Sequence, residues 1–382
     1  MNFVARALNL SISAAERLRE RNILKRAFVK HDFFPDIVEA VRLDRKFGFY
    51  EEGTVVIKTR TDEFVVRGFP KIKRALTLKP TLKRHFGNRM IAVEEKMNGY
   101  NVRIIRAGDS IYAITRRGLI CPYTTEKARL EIPLDFFDEY PEFMLCCEAI
   151  GRASPYVQSY TYDIPGLEFY LFDIRNRRTN EPIGVEEREE IADRYEIKMV
   201  DILLKTNPEK VEDIKTVIEE LNSRGREGVV FKDIEMKIDP MKYTTSLSNC
   251  YDLNYAFRFF AEYARDFMIS RIVREAFQSF EFQNGKREFE ERCFRLGKSI
   301  LKPLIESIQD VKMGKKIVEA SELYFYNREV LELFKMHLKL LGVDFRMKVI
   351  DEDDEKIKVL LERVMRSTTD RIRKILNGNP WR

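Results

Sequence analysis

The chain has 382 residues, with 68 Lys and Arg against 62 Asp and Glu and a formal net charge of +6. That length can hold two to four folded units, and a charged fraction of 34% resembles the ion-paired surface of a thermophile. No apolar run is long enough to span a bilayer. Five Cys without a CxxC pair, and His31, His85 and His337 far apart, argue against a disulfide framework or a histidine metal site and for a reducing, cytoplasmic setting.

Residues 12–46 read as helix, capped by Ser11 or Ser13, with a second helix from Pro35 carrying Ile37, Val38, Val41 and Leu43. After Gly48 the period changes to two, and 54–58 with 64–67 predict a hairpin. Residues 1–66 are therefore assigned to an N-terminal α/β domain. From 67 to 246, strands are predicted at 91–96, 102–107, 111–115, 143–149, 169–174 and 229–232, and helices at 185–195 and 208–224. Turns rather than crossover helices join most of these strands, which predicts antiparallel sheets in an α+β domain. Helical spacing then governs Phe259 to Phe280 and Phe289 to Ile300. A further helix is read over 319–341, an alternating piece over 345–349, and a last helix from Ile357 through Leu360, Leu361, Val364, Ile372 and Ile375 to Gly378. Residues 247–313 and 314–382 are accordingly assigned to two helical domains. The aromatic density after Leu253 marks either a helical core or an oligomer interface.

The stretch EEKMNGYNVR, residues 94–103, delivers Lys96 to the end of a predicted strand, and Asn98-Gly99 then reads as a tight turn. A plain hairpin with a solvated lysine competes with a lysine nucleophile fixed over a pocket. Downstream follow ITRRGL at 114–119, LCCEAIG at 145–151, FYLFDI at 169–174, REGVVFK at 226–232 and MKIDPMKYTT at 236–245. In this order they supply what nucleotidyl transfer needs. An amine nucleophile must be neutral to attack phosphorus, and nearby cations such as Arg117, Lys232 or Lys242 favour that form. Fixed cations also stabilise charge gathering on the phosphate. Glu148 and Glu227 are hard oxygen ligands suited to a hydrated Mg²⁺. Phe172 offers a face for a purine, whereas Asp173 projects oppositely and serves to orient a neighbour.

This ordered set resembles the motifs of the covalent nucleotidyltransferases: ATP-dependent DNA ligases, RNA ligases and mRNA capping enzymes. Within them it is most similar to the archaeal homodimeric ATP-dependent RNA ligases. Lys96–Gly99 reads Lys-x-Asn-Gly, where DNA ligases and capping enzymes usually have Asp in place of Asn98. Asn101 stands where many relatives have Arg. The resemblance implies an antiparallel, ATP-grasp-like ligase domain with Lys96 as nucleophile and Glu148 and Glu227 holding Mg²⁺ or Mn²⁺. It places Glu94, Met97, Asn98, Asn101, Arg103, Arg117, Phe172, Lys232 and Lys242 at the nucleotide, with Arg103 taking over a cationic duty. Lys232, Lys237 and Lys242 compete for the α-phosphate, and Lys242 is favoured. It further implies ATP as the nucleotide, a lysyl-AMP, a single-stranded RNA partner or a 5′-phosphorylated single-stranded DNA, and a homodimer built through the helical region. Lys71, Lys73, Arg74, Lys83 and Arg84 are candidates for the RNA groove.

Three other readings compete with this one, and the second is excluded. A DNA ligase or capping guanylyltransferase would be followed by an OB-fold barrel, and the helical spacing after Asp252 counts against one. A P-loop at Gly297-Lys298-Ser299 lacks its first glycine, since residue 292 is Arg. A non-catalytic RNA-binding protein on a ligase fold would have lost acids or lysines that are all present here.

Overall fold

The computed structural model describes residues 1–157 and 161–380. In the N-terminal unit, α1 (Asn2–Ala7) and α2 (Ile12–Glu20) cover a four-stranded antiparallel sheet in the order β1 (Leu24–Arg26), β2 (Glu39–Leu43), β3 (Val55–Lys58) and β4 (Glu63–Val66). The 54–67 hairpin is as predicted. The helix over 12–46 is not: it stops at Glu20, where Arg21 and the left-handed Asn22 (φ 55°) turn the chain. Val41 and Leu43, read as one face of a second helix, lie in strand β2, paired with β3. Short apolar runs fit both periods, and here the waiting ladder of β3 decides.

Two sheets form the centre of the molecule. β5 (Lys73–Arg74) and α3 (Lys79–Phe86) lead into β6 (Ile91–Lys96), followed by β7 (Tyr100–Ala107), β8 (Ser110–Thr115), α4 (Pro122–Glu131), α5 (Phe136–Glu139), β9 (Phe143–Ile150) and β10 (Glu168–Asn176). Next come α6 (Val185–Arg194), β11 (Ile202–Thr206), α7 (Val211–Ser223), β12 (Gly228–Asp233) and β13 (Met241–Thr244). One sheet has the order β10-β9-β7-β8 and the other β11-β6-β12-β13-β5. The ladders are antiparallel except β13 with β5, which is parallel.

β6 and β7 therefore belong to different sheets, and Asn98-Gly99 is not a hairpin turn. Neither residue has a positive φ, as a type I′ turn would require at both. Gly99 instead carries the chain from one sheet to the other against β9, where a side-chain Cβ would stand 2.3 Å from the Ala149 carbonyl oxygen. No larger residue fits there.

Alternation sets the faces. Ile91, Val93, Val229, Phe231, Met241 and Tyr243 turn outward under α3 and α7. Glu94, Lys96, Lys232 and Lys242 alternate with them and so face the other sheet. In that sheet Tyr100, Val102, Leu145 and Cys147 pack outward, leaving Asn101, Arg103 and Glu148 on the inner face.

The region from Ser246 onward begins with three helices, α8 (Ser246–Arg258), α9 (Arg265–Glu281) and α10 (Lys286–Lys312). The helix expected from Phe259 to Phe280 begins only at Arg265; Phe259, Phe260 and Tyr263 lie in the segment between α8 and α9. The last unit is not mostly helical. Residues 319–341 divide into β14 (Val318–Phe325) and α11 (Arg328–Leu340), and β15 (Phe345–Glu352) and β16 (Ile357–Val364) precede α12 (Arg366–Leu376). The sheet order is β14-β16-β15. Ile357, Val359 and Leu361 are buried in alternation, a period of two that the string Ile357-Leu360-Leu361-Val364 conceals. Asn327 caps α11 by accepting from the Glu329 amide at 2.8 Å. This unit does not have a separate core: Leu323, Phe325, Phe334, Val359 and Leu361 pack in one cluster with Tyr100, Val102 and Cys147.

Arg103 is fully buried. Its guanidinium donates to the carbonyls of Arg67, of Gly53 (2.9 Å) and of Thr115 (2.9 Å). It ties the N-terminal unit to the central sheet and does not reach the nucleotide side of the cleft, which corrects the duty expected of it. Arg103→Met should lower unfolding stability by about 2–4 kcal/mol, because buried carbonyls lose their donor. Denaturant unfolding followed by circular dichroism measures this, and an unchanged midpoint would remove the tie.

Candidate active site

Lys96 ends β6 opposite Gly228 of β12. Gly228 has φ 149°, and a Cβ there would lie 2.1 Å from the Tyr243 carbonyl oxygen, so only glycine lets β12 and β13 close at this point. The closure brings Glu227, the preceding residue, to Lys96: Oε2 is 2.7 Å from the ammonium Nζ. Lys242 of β13 pairs in register with Val230 on one side and with Arg74 of β5 on the other. Glu148 approaches from the other sheet, paired with Asn101 of β7. Lys96, Lys242 and Arg74 thus face Glu148 and Asn101 across one cleft, with Glu227 at its rim.

Burial is the main cause of the site's electrostatics. It pushes the Glu148 carboxyl up to about 7; Lys96 and the Gly99 amide oppose that rise, and Glu227 adds to it. It draws Lys242 down to about 8, helped by Arg74 and Lys96 and opposed by Glu227. Asn101 is buried, and its Oδ1 has no hydrogen-bond partner. Two carboxylates and an unpartnered amide oxygen facing a cleft fit a hydrated divalent cation that takes further oxygens from water and phosphate. Among the described residues no cluster of three or more acidic, His or Cys groups forms an all-protein cage.

Glu94 and Lys232, expected at the nucleotide, are committed to a buried ion network. Lys232 Nζ lies 2.8 Å from Glu94 Oε2 and 2.8 Å from Asp173 Oδ1. Arg188 of α6 joins Glu94 at 2.5 Å, and Arg175 joins Asp173 at 2.9 Å. Arg188 and Lys232 both donate to the Phe172 carbonyl. The ladder between β10 and β9 shifts register between Leu171 and Asp173, so Phe172 sits on a bulge held by two cations. Its half-buried ring meets Phe69 edge-on at 5.2 Å and packs with the apolar group of Met97, Ile150, Tyr162, Ile164 and Val200 beside Lys96. Asp173 does orient a neighbour, namely Lys232.

Arg117 is misassigned. Its exposed guanidinium points toward Asp44 at 3.9 Å, while the charge of its neighbour Arg116 acts on Glu148 and Lys242. Spacing cannot separate two adjacent arginines on a turn. Of the basic residues ahead of Lys96, Arg74 joins the cleft; its Nη1 donates to Thr244 at 2.9 Å. Lys83 pairs with Glu209 on the outer layer at 3.0 Å, Lys71 lies 3.6 Å from Glu52, and Lys73 and Arg84 are at the surface. Arg188, Arg116 and the pairing of Glu95 with the Tyr162 hydroxyl (2.8 Å) carry no sequence signal. Lys237 is also outside the cleft, paired with Glu235 at 2.9 Å.

A Glu148 carboxyl raised in the folded state favours folding only while protonated, so ionisation costs stability progressively as pH rises from about 4.5 to about 7. Glu148→Gln should therefore stabilise the ligand-free protein at pH 8 by on the order of 2 kcal/mol and leave it unchanged at pH 4. Equal midpoints for wild type and variant at pH 8 would contradict the raised carboxyl.

Two family models match the chain. The one described as RNA ligase covers residues 89–244, and the one described as ligase Pab1020 C-terminal region covers residues 255–379. The chain is 37% identical over its whole length to MJ0414 of Methanocaldococcus jannaschii, an uncharacterized protein of which it covers 97%. Two solved forms of an archaeal ATP-dependent RNA ligase superpose with a TM-score of 0.90 at 36% and 35% identity, covering 100% of this chain and 99% of theirs. A putative ATP-dependent DNA ligase from Aquifex aeolicus shares the fold, with a TM-score of 0.88 at 24% identity over 97% of this chain and 100% of its own. With such coverage from end to end, the chain belongs to the family of archaeal ATP-dependent RNA ligases.

Proposed function

We propose that this RNA ligase works through a lysyl-AMP on Lys96 and joins or circularises single-stranded RNA with 5′-phosphate and 3′-hydroxyl ends. The observation that carries the reading is the 2.7 Å pair of Lys96 Nζ with Glu227, set among Lys242 and Arg74 and facing Glu148. The Lys96 amine must shed a proton to attack, and Glu227, in contact with Nζ, orients it. Nζ then bonds to the α-phosphorus of ATP as the bond to the departing pyrophosphate breaks. Lys242, on the same inner face as Lys96, is the cation placed to neutralise the α-phosphate oxygens. An RNA 5′-phosphate oxygen next takes the AMP and releases the Lys96 amine. Finally the 3′-hydroxyl attacks that 5′-phosphorus, and AMP departs. Phe172 and Met97 supply the apolar wall for the base, and Asn98 lines the crossing beside it.

A Mg²⁺ or Mn²⁺ ion would be held by Glu148 and Glu227, and when bound it supplies countercharge to the nucleotide phosphates. A 5′-phosphorylated single-stranded DNA is the alternative acceptor. No helix of the described residues is long and apolar enough to cross a membrane, and the thiols are unpaired, which supports a cytoplasmic setting. The exposed Ile269, Phe277, Phe280, Phe289, Phe294 and Leu301 of α9 and α10 support a second copy of this chain as partner.

Incubation with α-labelled ATP and Mg²⁺, followed by denaturing electrophoresis, tests the chemistry. Label should stay on wild type and vanish in Lys96→Ala, and Glu227→Ala should lower its rate about 100-fold or more. Label retained by Lys96→Ala, or a GMP adduct formed in preference to AMP, would refute it. Sedimentation equilibrium should give twice the chain mass, and Phe280→Asp with Phe294→Asp should return it to the mass of one chain. A wild-type monomer would exclude the dimer.

A further inference from the structure

The helical unit after Ser246 does more than pack beside the cleft. Arg271, Arg274 and Gln278 lie on one face of α9, at i, i+3 and i+7. The roll of that helix is fixed by Glu275, whose buried carboxylate accepts from Ser246 (2.6 Å), Asn249 (2.7 Å) and Arg292 (2.7 Å). Gln278 reaches the Thr244 carbonyl at 3.5 Å. Arg274, one turn earlier, shares a small pocket with Arg74, Tyr243, Thr244 and Gln278. Arg74 is in turn the register partner of Lys242. The face of α9 therefore extends the cationic row of the cleft beyond β5.

The charges in this row are only partly compensated. Arg271 is held by Asp252 at 2.8 Å, and Lys96 by Glu227. Among the described residues, neither Arg274 nor Lys242 has a carboxylate within ion-pair distance. Burial, then repulsion from Arg74 and Arg271, draws Arg274 down to about 9. Guanidinium groups crowded together on rigid elements without an anion are arranged for one, because a phosphate accepts their forked donors.

We infer that Arg274 of α9 and Arg74 of β5 form a phosphate subsite beyond Lys242, so that the active site is completed by the helical unit. The proposal rests on the ligase reading above. Its ligand is a terminal phosphate, either the polyphosphate tail of ATP or the 5′-phosphate of the RNA strand, and the two sources are separable by step.

The full-length chain carrying Arg274→Ala or Arg274→Lys is compared with wild type in two arms. One arm measures the KM for ATP in self-adenylylation, together with release of the adduct by inorganic pyrophosphate. The other measures AMP transfer from isolated lysyl-AMP enzyme to a 5′-phosphorylated oligoribonucleotide. Arg274→Ala should raise the half-saturating concentration at least tenfold in one or both arms, with Arg274→Lys recovering part of it. An effect in the first arm alone assigns the polyphosphate tail, in the second alone the RNA end, and in both a shared subsite. Wild-type behaviour in both arms overturns the subsite. So does an equal loss of amplitude in both arms with KM unchanged, since the active fraction then binds both phosphates without Arg274. Failure of wild type itself to form the Lys96 adduct would instead refute the underlying ligase chemistry.

Discussion

The arrangement of the cleft depends on one close approach. Between Lys96 and Tyr100 the chain leaves the β11-β6-β12-β13-β5 sheet and enters the other, passing Gly99 against the Ala149 carbonyl. A hairpin at this point would have kept Lys96 and Asn101 on a single sheet, with the lysine at an open edge. The crossing instead makes Lys96 the last residue of one wall, and Asn101 an early residue of the facing one. Glu148, across from Asn101, is held opposite the lysine by the same geometry. The approach of Gly228 to the Tyr243 carbonyl does the corresponding work for Glu227, closing β12 onto β13 just where the acid must meet Nζ.

Beneath that floor lies a group of buried charges paired with one another. Glu94 and Asp173 are surrounded by Lys232, Arg188 and Arg175, all nearly without exposure. Such a network stabilises little in net terms, because the desolvation of five ions offsets most of their attraction. Its value here is geometric. It fastens β6, β10, β12 and α6 to one another, and its two cations on the Phe172 carbonyl hold the bulge that re-aims the Phe172 ring. A hydrophobic substitute would supply packing but no donors for that carbonyl.

What the sequence disclosed, and what it hid, follow from the same physics. Strands that carry apolar runs, such as 90–93 in front of Lys96 and 143–147 in front of Glu148, and helices with 3.6 spacing, such as 185–195, were legible because burial enforces their period. The C-terminal strands β14 and β16 were not. Leu360 and Val364 add apolar residues on the solvent-side positions of β16, which makes a period of two look like helical spacing. In the cleft, Lys96, Glu148, Glu227 and Lys242 were legible as chemical types in order. The partners of Glu94 were not, since Arg188 is distant in sequence and resembles any surface arginine of a charged helix until the fold buries it. Arg103 shows the opposite failure: near the lysine in sequence, it belongs to a different job because alternation and the crossing send it under the N-terminal unit.

Helix α9 presents two surfaces with separate physical roles. Inward, Arg271, Arg274, Glu275 and Gln278 are polar, partly or fully buried, and tied to α8, α10 and β13. Outward, Ile269, Val273, Phe277 and Phe280 are exposed, with Phe280 at 81%. A lone helix that showed water this much apolar surface would tend to shift or associate. The buried Glu275 carboxylate prevents rotation, since turning the helix would strip it of three donors at once. The inner and outer faces are therefore locked in phase. One helix thus carries both the apolar stripe and the arginines at the edge of the cleft, with its roll fixed by the buried Glu275 carboxylate.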